Sequence, residues 1–416
     1  MQECIDVAAA ERRLEAYLDS IGQALGSPER RASFAVYAMG ILSDAERKSI
    51  EPLVARTCLD PDRMDAAHQR LLHFTVDSPW SDREVRTAAA RYALDALVAR
   101  EPVEAWILDD TGFLKQGTHS VGVHRQYTGS AGKITNCQVA TSLTIATRTD
   151  QVPIDFELYL PKTWTDDPKR RAEARIPWQV EFETKPQLGL RLIRRAVEAG
   201  VPPGLVLADQ GYSSVELRDG IRALGLHYAV GVDAKTVVKV YSKNGRLREE
   251  TIKVKKLAQR IDASGGFRRC TWRQGTKVPL SARFALRRVV WAGVHTYKHK
   301  QSGRATAEER EPLWLLIEWR DGEPEPANYF FCSLPVTMTR RKLVRLVTQR
   351  WRTERAYQDL KGELGLDHYE GRRFPGWHHH VSVVLACYAF VVAERARHFS
   401  LTPRRPLADH TKPLAA

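Results

Sequence analysis

Three acids, far apart in the chain, are of the type that divalent-metal chemistry on a phosphodiester requires. One member of the pair Asp109 and Asp110 follows the apolar run WIL. Asp209 follows LVLA, and Glu354 lies within RWRTERAYQDLK. Two metal ions roughly 4 Å apart activate an attacking oxygen and stabilise the leaving one, provided carboxylates converge on them. Hard Mg2+ takes one or two carboxylates per ion, with waters and the phosphate completing the shell. A lone Asp after a strand is more often a turn former or a helix cap, so neither aspartate carries weight singly. The third acid adds context. On one helix, at 100° per residue, Arg350, Glu354 and Lys361 fall within about 40° of one another, a polar stripe whose cations can meet phosphate. A plain surface pair between Arg350 and Glu354 is the competing reading.

The elements around these acids read as strands alternating with helices. WILDD, ITNCQVATSLTIA and VPIDFELYLP are short β-branched and apolar runs, the first closing in the acid pair. LVLAD reads as a buried strand ending in an acid, between the helices KPQLGLRLIRRAVEAG and SVELRDGIRALG, and HYAVGVDA as one more strand. This pattern predicts an α/β fold with mixed strand directions and its acids at the sheet edge where such folds bind ligands. Strand alternation sends Asp109 and Asp110 to opposite faces. Residues 1–98 read as helices, with Ser43 as an N-cap and Glu46 completing a capping box. From Lys235 to Pro335 the runs TVVKVYS, TIKVKKL, FRRCTWR, ARFALRRVVWA, LWLLIEW and NYFFCSL read as strands. Helices return at RRKLVRLVTQRWRTERAYQDLKGELG and HHHVSVVLACYAFVVAERAR.

Charge points to the partner. Residues 235–310 hold 20 Lys and Arg against 5 acids, so this block accounts for the whole formal charge of +14. Counterion release rewards such clustering on a polyanion, and nucleic acid is the expected partner. Arg268, Arg269, Arg273, Arg287 and Arg288 are the expected phosphate contacts. Trp272 and Trp291, set among arginines, are candidates to stack on an exposed base. The run His378–His380 points three ways from a helix start and lacks further ligands, so it is expected near phosphates and without a metal. TGSAGK lacks the spacing of a nucleotide cradle. Six scattered cysteines read as reduced thiols of a cytoplasmic protein. No run approaches the roughly 18 uninterrupted apolar residues of a membrane span, and no membrane partner is expected.

With the third acid in RWRTERAYQDLK, the acids resemble those of the DDE transposases of bacterial insertion sequences, in the group with a Tyr, Arg, Glu, Lys signature. Arg350, Glu354 and Lys361 match its spacing, while Val347 stands where the signature has Tyr. YAMGILSDAERKSIEPLVA, LLHFTVDSPWSDREV, LDDTGFLKQGTHSVGVHRQYTGSAGKITNCQVATSLTIA and LADQGYS resemble the insertion-sequence-701 family, over roughly residues 30–395. The resemblance implies a ribonuclease-H-like core, 99–234 and 336–398, interrupted by a basic β-rich insertion, 235–335. A helical DNA-binding domain, 1–98, precedes the core and a tail, 399–416, follows it. It favours Asp110 over Asp109, and a catalytic and metal-holding set of Asp110, Asp209 and Glu354. Two Mg2+ ions, replaceable by Mn2+, are implied as cofactors. The implied reaction is cleavage at element ends and strand transfer, on double-stranded DNA carrying terminal inverted repeats and on target DNA. A homodimer in the DNA complex, at the bacterial nucleoid, completes the expectation. A nuclease of the same fold without strand transfer, and a domesticated DNA-binding protein, are the alternatives.

Overall fold

A 14-residue strand, β3 (Lys133–Ala146), organises the first of two units in the computed structural model, which describes residues 6–58, 60–242, 244–274, 279–293 and 311–398. The described residues of 1–203 and 351–402 form this unit, and those of 204–350 form the second. β3 pairs antiparallel with β1 (Ala105–Leu114), with β2 (His124–Thr128) at its start and with β4 (Gln151–Leu158) at its end. Trp106, Ile107 and Leu108 of β1 are fully buried, and every residue of β4 is buried, including Asp155 and Glu157, which are paired with Arg195.

Helices α1 (Val7–Gly22), α2 (Pro28–Leu42), α3 (Ile50–Thr57), α4 (Met64–Val76) and α5 (Asp82–Val98) lead into β1. After β4 come α6 (Lys162–Thr165), α7 (Pro168–Ala174) and α8 (Lys185–Glu198), and the unit closes with α12 (Trp351–Gly362) and α13 (Phe374–His398). The helix α13 is apolar nearly all round, which in a globular fold means burial on every side. By length and composition it could cross a membrane, but 94% of its most apolar window is buried inside the unit. It packs on α1, α2, α4, α5 and β4, so the described part of the first 98 residues shares one core with this helix. Tyr17 donates to the Ala386 carbonyl at 2.7 Å, and Trp80 stacks between Phe74 and His379.

The second unit begins with β5 (Leu205–Ala208), crosses through α9 (Val215–Ala223) and returns as β6 (Tyr228–Gly231), parallel to β5. Antiparallel pairs then run from β6 to β12 (Asn328–Cys332), β11 (Leu313–Trp319), β10 (Pro279–Trp291), β7 (Val237–Tyr241) and β8 (Leu247–Lys253). β9 (Arg268–Gln274) pairs with β10, and β11 is buried along its whole length. The class is mixed α/β.

Four local expectations are corrected. TIKVKKL is not one strand: β8 ends at Lys253 and a helix, α10 (Val254–Ala263), follows, burying Val254, Leu257, Ala258 and Ile261 at helical spacing. Ser43 ends α2 rather than starting a helix, because its hydroxyl donates back to the Gly40 carbonyl at 2.7 Å. The stretch from Arg340 is two α-helices, α11 (Arg340–Val347) and α12, separated by a 3-10 turn at Thr348–Arg350. Thr348 donates to the Val344 carbonyl at 2.8 Å, the side-chain back-bond that bends a helix. The three histidines are not at phosphates. His378, His379 and His380 are all buried in α13, with ring nitrogens on Phe374, Thr75, Trp80 and Gly365 carbonyls.

Candidate active site

Asp110 is the one residue within β1, before its exposed last position, that is not buried. The acid pair lies in mid-strand rather than at its end, since Thr111, Gly112 and Phe113 continue the ladder opposite Ala140, Val139 and Gln138. Gly112 is needed there: a Cβ at that position would come within 1.9 Å of the Thr128 hydroxyl. Asp109 is 8% exposed and its Oδ1 accepts the Asp110 amide at 2.9 Å, whereas the Asp110 side chain reaches partly into solvent. Its Oδ2 meets the Lys185 ammonium at 2.8 Å. Lys185 opens α8, behind the cap residue Thr184, whose capping box with Gln187 fixes the entry of the helix.

Glu354 is presented by the way α12 docks. Thr353 is fully buried and its hydroxyl lies 2.9 Å from that of Thr144. Tyr357 hydrogen-bonds Ser142 at 2.6 Å, and Arg352 bonds Gln151 and the Arg148 carbonyl. Burial pushes the Tyr357 hydroxyl well above its ordinary pKa, with the nearby charges of Asp109 and Asp110 adding to it. Each such bond contributes about 0.5–1.5 kcal/mol net, and together they leave Glu354 on the exposed face of the helix. Glu354 has no hydrogen-bond or ion-pair partner among the described residues. Two turns on, Lys361 donates to the Gly112 carbonyl at 2.6 Å and lies 3.3 Å from the Ser130 hydroxyl. Burial lowers the pKa of its ammonium.

In the second unit, Asp209 follows β5 directly and caps a 3-10 turn, its Oδ1 accepting the Gly211 amide at 2.8 Å. This is the ordinary capping role of an Asp after a strand, and it leaves Oδ2 for other partners. Arg350 approaches that oxygen at 3.9 Å. Gly231 of β6 lets the Asp209 turn sit close, since a Cβ there would stand 2.7 Å from the Gln210 amide. Neither unit by itself, among the described residues, gathers three His, Cys, Asp or Glu side chains about one point.

The basic segment of the second unit is only partly a solvated face. Arg268 and Arg269 are exposed, and Arg269 pairs with Asp321 at 2.7 Å. Arg287 and Arg288 are half-buried, and burial lowers both pKa values, with Arg340 adding to the effect on Arg287. That Arg340 belongs to α11, which packs on β9 and adds Arg340, Arg341, Lys342 and Arg345 to the basic surface. The Arg273 side chain and residues 294–310 lie outside the described residues. Trp272 is half-buried, edge-on to Phe284 at 5.6 Å. Trp291 is half-buried beneath the Arg218 guanidinium at 5.1 Å. The tryptophan most open to solvent is Trp178, 83% exposed in the loop before α8.

Lys185 is the site residue that sequence reasoning missed. Its signal was a cation at the first position of a helix, where the macrodipole disfavours positive charge.

Comparison with known proteins bears on this site. The family model described as DDE superfamily endonuclease matches residues 21–279, and the model described as transposase DDE domain matches residues 185–390. A probable transposase for insertion sequence element IS701 from Microchaete diplosiphon is 29% identical over 210 residues. That match covers 50% of each chain, so this protein spans about half the length of the curated relative it matches. Among solved structures, a piggyBac transposase synaptic complex with hairpin DNA aligns with a TM-score of 0.43 and 10% identity. The alignment covers 89% of this chain and 66% of that one.

Proposed function

The chain belongs to the DDE superfamily endonuclease family, and from that premise we propose that it is the transposase of an insertion sequence, cutting DNA at element ends and joining them to target DNA. Besides the family match, one observation supports the reading most: the partly exposed residue of the otherwise buried body of β1 is a carboxylate, Asp110. An acid in the body of a buried strand needs a countercharge, which Lys185 supplies at 2.8 Å and a metal ion would supply in its place.

Asp110, Asp209 and Glu354 are the proposed metal-holding acids, with Mg2+ as the ion and Mn2+ as a substitute. Their donor chemistry fits: all three are carboxylates, the hard oxygen ligands that Mg2+ selects, and Glu354 is free of competing partners among the described residues. When bound, the ions would activate the attacking oxygen and stabilise the leaving one. The protein's own part is positioning. β1 fixes Asp110 through its ladder with β3, the Gly211 amide fixes Asp209, and Thr353 with Tyr357 fix the helix that carries Glu354. Arg350 and Lys361 would hold phosphate oxygens, and the arginines of β9 and β10 the flanking backbone.

The finer architecture follows the same reading. The core is ribonuclease-H-like, residues 235–335 form its β-rich insertion, and residues 1–98 help to bind element ends. Double-stranded DNA with terminal inverted repeats is the proposed partner, bound by a homodimer at the bacterial nucleoid. Incubating labelled end duplexes with Mg2+ and a target plasmid tests the function. Nicked ends followed by joined products are expected. Cutting without joining would instead make the protein a nuclease, and tight binding without cutting a domesticated DNA-binding protein.

A further inference from the structure

We infer that Lys185 is a phosphate-binding residue of this same site, held on Asp110 until a divalent cation takes that carboxylate. The inference rests on the reading of Asp110 as a metal ligand and adds a residue to it. The Lys185 ammonium lies 2.8 Å from Asp110 Oδ2, with both side chains partly open to solvent, at 30% and 23% exposure. The lysine stands at the first position of α8, where the helix dipole works against a cation, so the helix itself gains nothing from it. Its placement is explained by the carboxylate it faces. Thr184 and Gln187 lock the start of the helix, so the stem of Lys185 begins from a fixed backbone and only its four-carbon chain swings.

The electrostatics then dictate an exchange. With no metal bound, Lys185 supplies the countercharge for Asp110. A divalent cation on Oδ2 and an ammonium at the same oxygen repel, unless an anion lies between them. A phosphodiester oxygen at the reacting centre is such an anion, and the ammonium is a compact donor suited to it. Lys361 is tied to the Gly112 carbonyl and Ser130 whether or not an ion is bound, so its grip on phosphate does not respond to the ion, whereas Lys185 is released by it. Lys185 thus links occupation of the carboxylate to grip on DNA.

The test measures DNA binding as a function of salt, with and without Ca2+, for wild type, Lys185→Met, Lys185→Gln and Lys185→Arg. One phosphate contact contributes a slope of about 0.9 in log affinity against log salt, or about 3.5-fold across a fourfold change in salt. Wild type and the two neutral variants should share one slope without the ion. With Ca2+ the neutral variants should fall short of wild type by about 0.9, and Lys185→Arg should not. Asp110→Asn, run alongside, should erase the effect of Ca2+ in every background. If Asp110→Asn erases it while the neutral variants match wild type with Ca2+, or differ equally without it, Lys185 is only a structural partner and the inference is overturned. If Asp110→Asn leaves the Ca2+ effect intact, the reading of Asp110 as a ligand fails first. The two neutral variants guard against one failing to fold, which thermal melting would reveal.

Discussion

His380 makes the stability of the first unit depend on acid. Its ring is fully buried, Nδ1 facing the Tyr37 hydroxyl at 2.9 Å and Nε2 facing the Gly365 carbonyl at 3.0 Å. The Nε2–H tautomer satisfies both contacts, so the neutral ring is the one the site is built for. Burial lowers its pKa from 6.5 to about 4, with Lys115 and His368 opposing the charged form as well. Because the folded pKa lies below the unfolded one, the unfolded chain binds the extra proton between these values. Stability is therefore full above about pH 6.5 and is lost as the pH falls towards 4. The gap of about 2.5 units corresponds to about 3 kcal/mol over the whole window, and to about 2 kcal/mol by pH 5. Urea unfolding followed at pH 7 and pH 5, for wild type and His380→Gln, isolates the effect. Carboxylates titrate in both proteins and cancel, so the variant should lose about 2 kcal/mol less than wild type across this interval. Equal losses in the two proteins would refute the assignment.

Other expectations follow from particular contacts. Arg86 is 3% exposed and holds Asp82 at 2.5 Å and Asp155 at 2.9 Å, so Arg86→Met should cost about 1–3 kcal/mol by taking a charged partner from the half-buried Asp82 and from the buried Asp155, which keeps only Arg195. A melting shift no larger than that of a surface substitution would contradict this. Reversing Arg268, Arg269, Arg287 and Arg288 together should weaken DNA binding across all sequences and flatten its salt dependence, and an unchanged slope would make these residues a solubilising face. Trp291→Ala, and secondarily Trp272→Ala, should spare first-strand nicking but reduce the rise in 2-aminopurine fluorescence near the cut. Stacking returns about 1–3 kcal/mol per base, and an undiminished signal would assign both rings to packing within the protein, as with Arg218 and Phe284.

Much of this was legible in the sequence because it rests on periodicity. The runs around Trp106, Val139 and Val206 are β-branched and apolar, and each forms a strand. α10 was legible in principle, since Val254, Leu257, Ala258 and Ile261 have helical spacing, but the β-branched run before it masked the change of period. The 3-10 turn at Thr348–Arg350 was not legible, because it depends on a hydroxyl choosing a backbone carbonyl over solvent. His378–His380 misled for a related reason. Polar side chains in a row resemble a surface, and only tertiary contacts reveal that carbonyls from α4 and the loops await them. At the candidate site, residue types announced the acids, but the Lys185 partner of Asp110 lies 75 positions away and no local pattern joins them.

The most direct measurement is metal-dependent nicking of a labelled end duplex by wild type, Asp110→Asn, Asp209→Asn and Glu354→Gln, with duplex binding measured in parallel. If these three carboxylates hold the metal ions, each variant should bind the duplex nearly as well as wild type and nick it at least 100-fold more slowly, the loss of about 2.7 kcal/mol or more of transition-state stabilisation. Wild-type nicking by Glu354→Gln, with Mg2+ still required, would contradict the assignment.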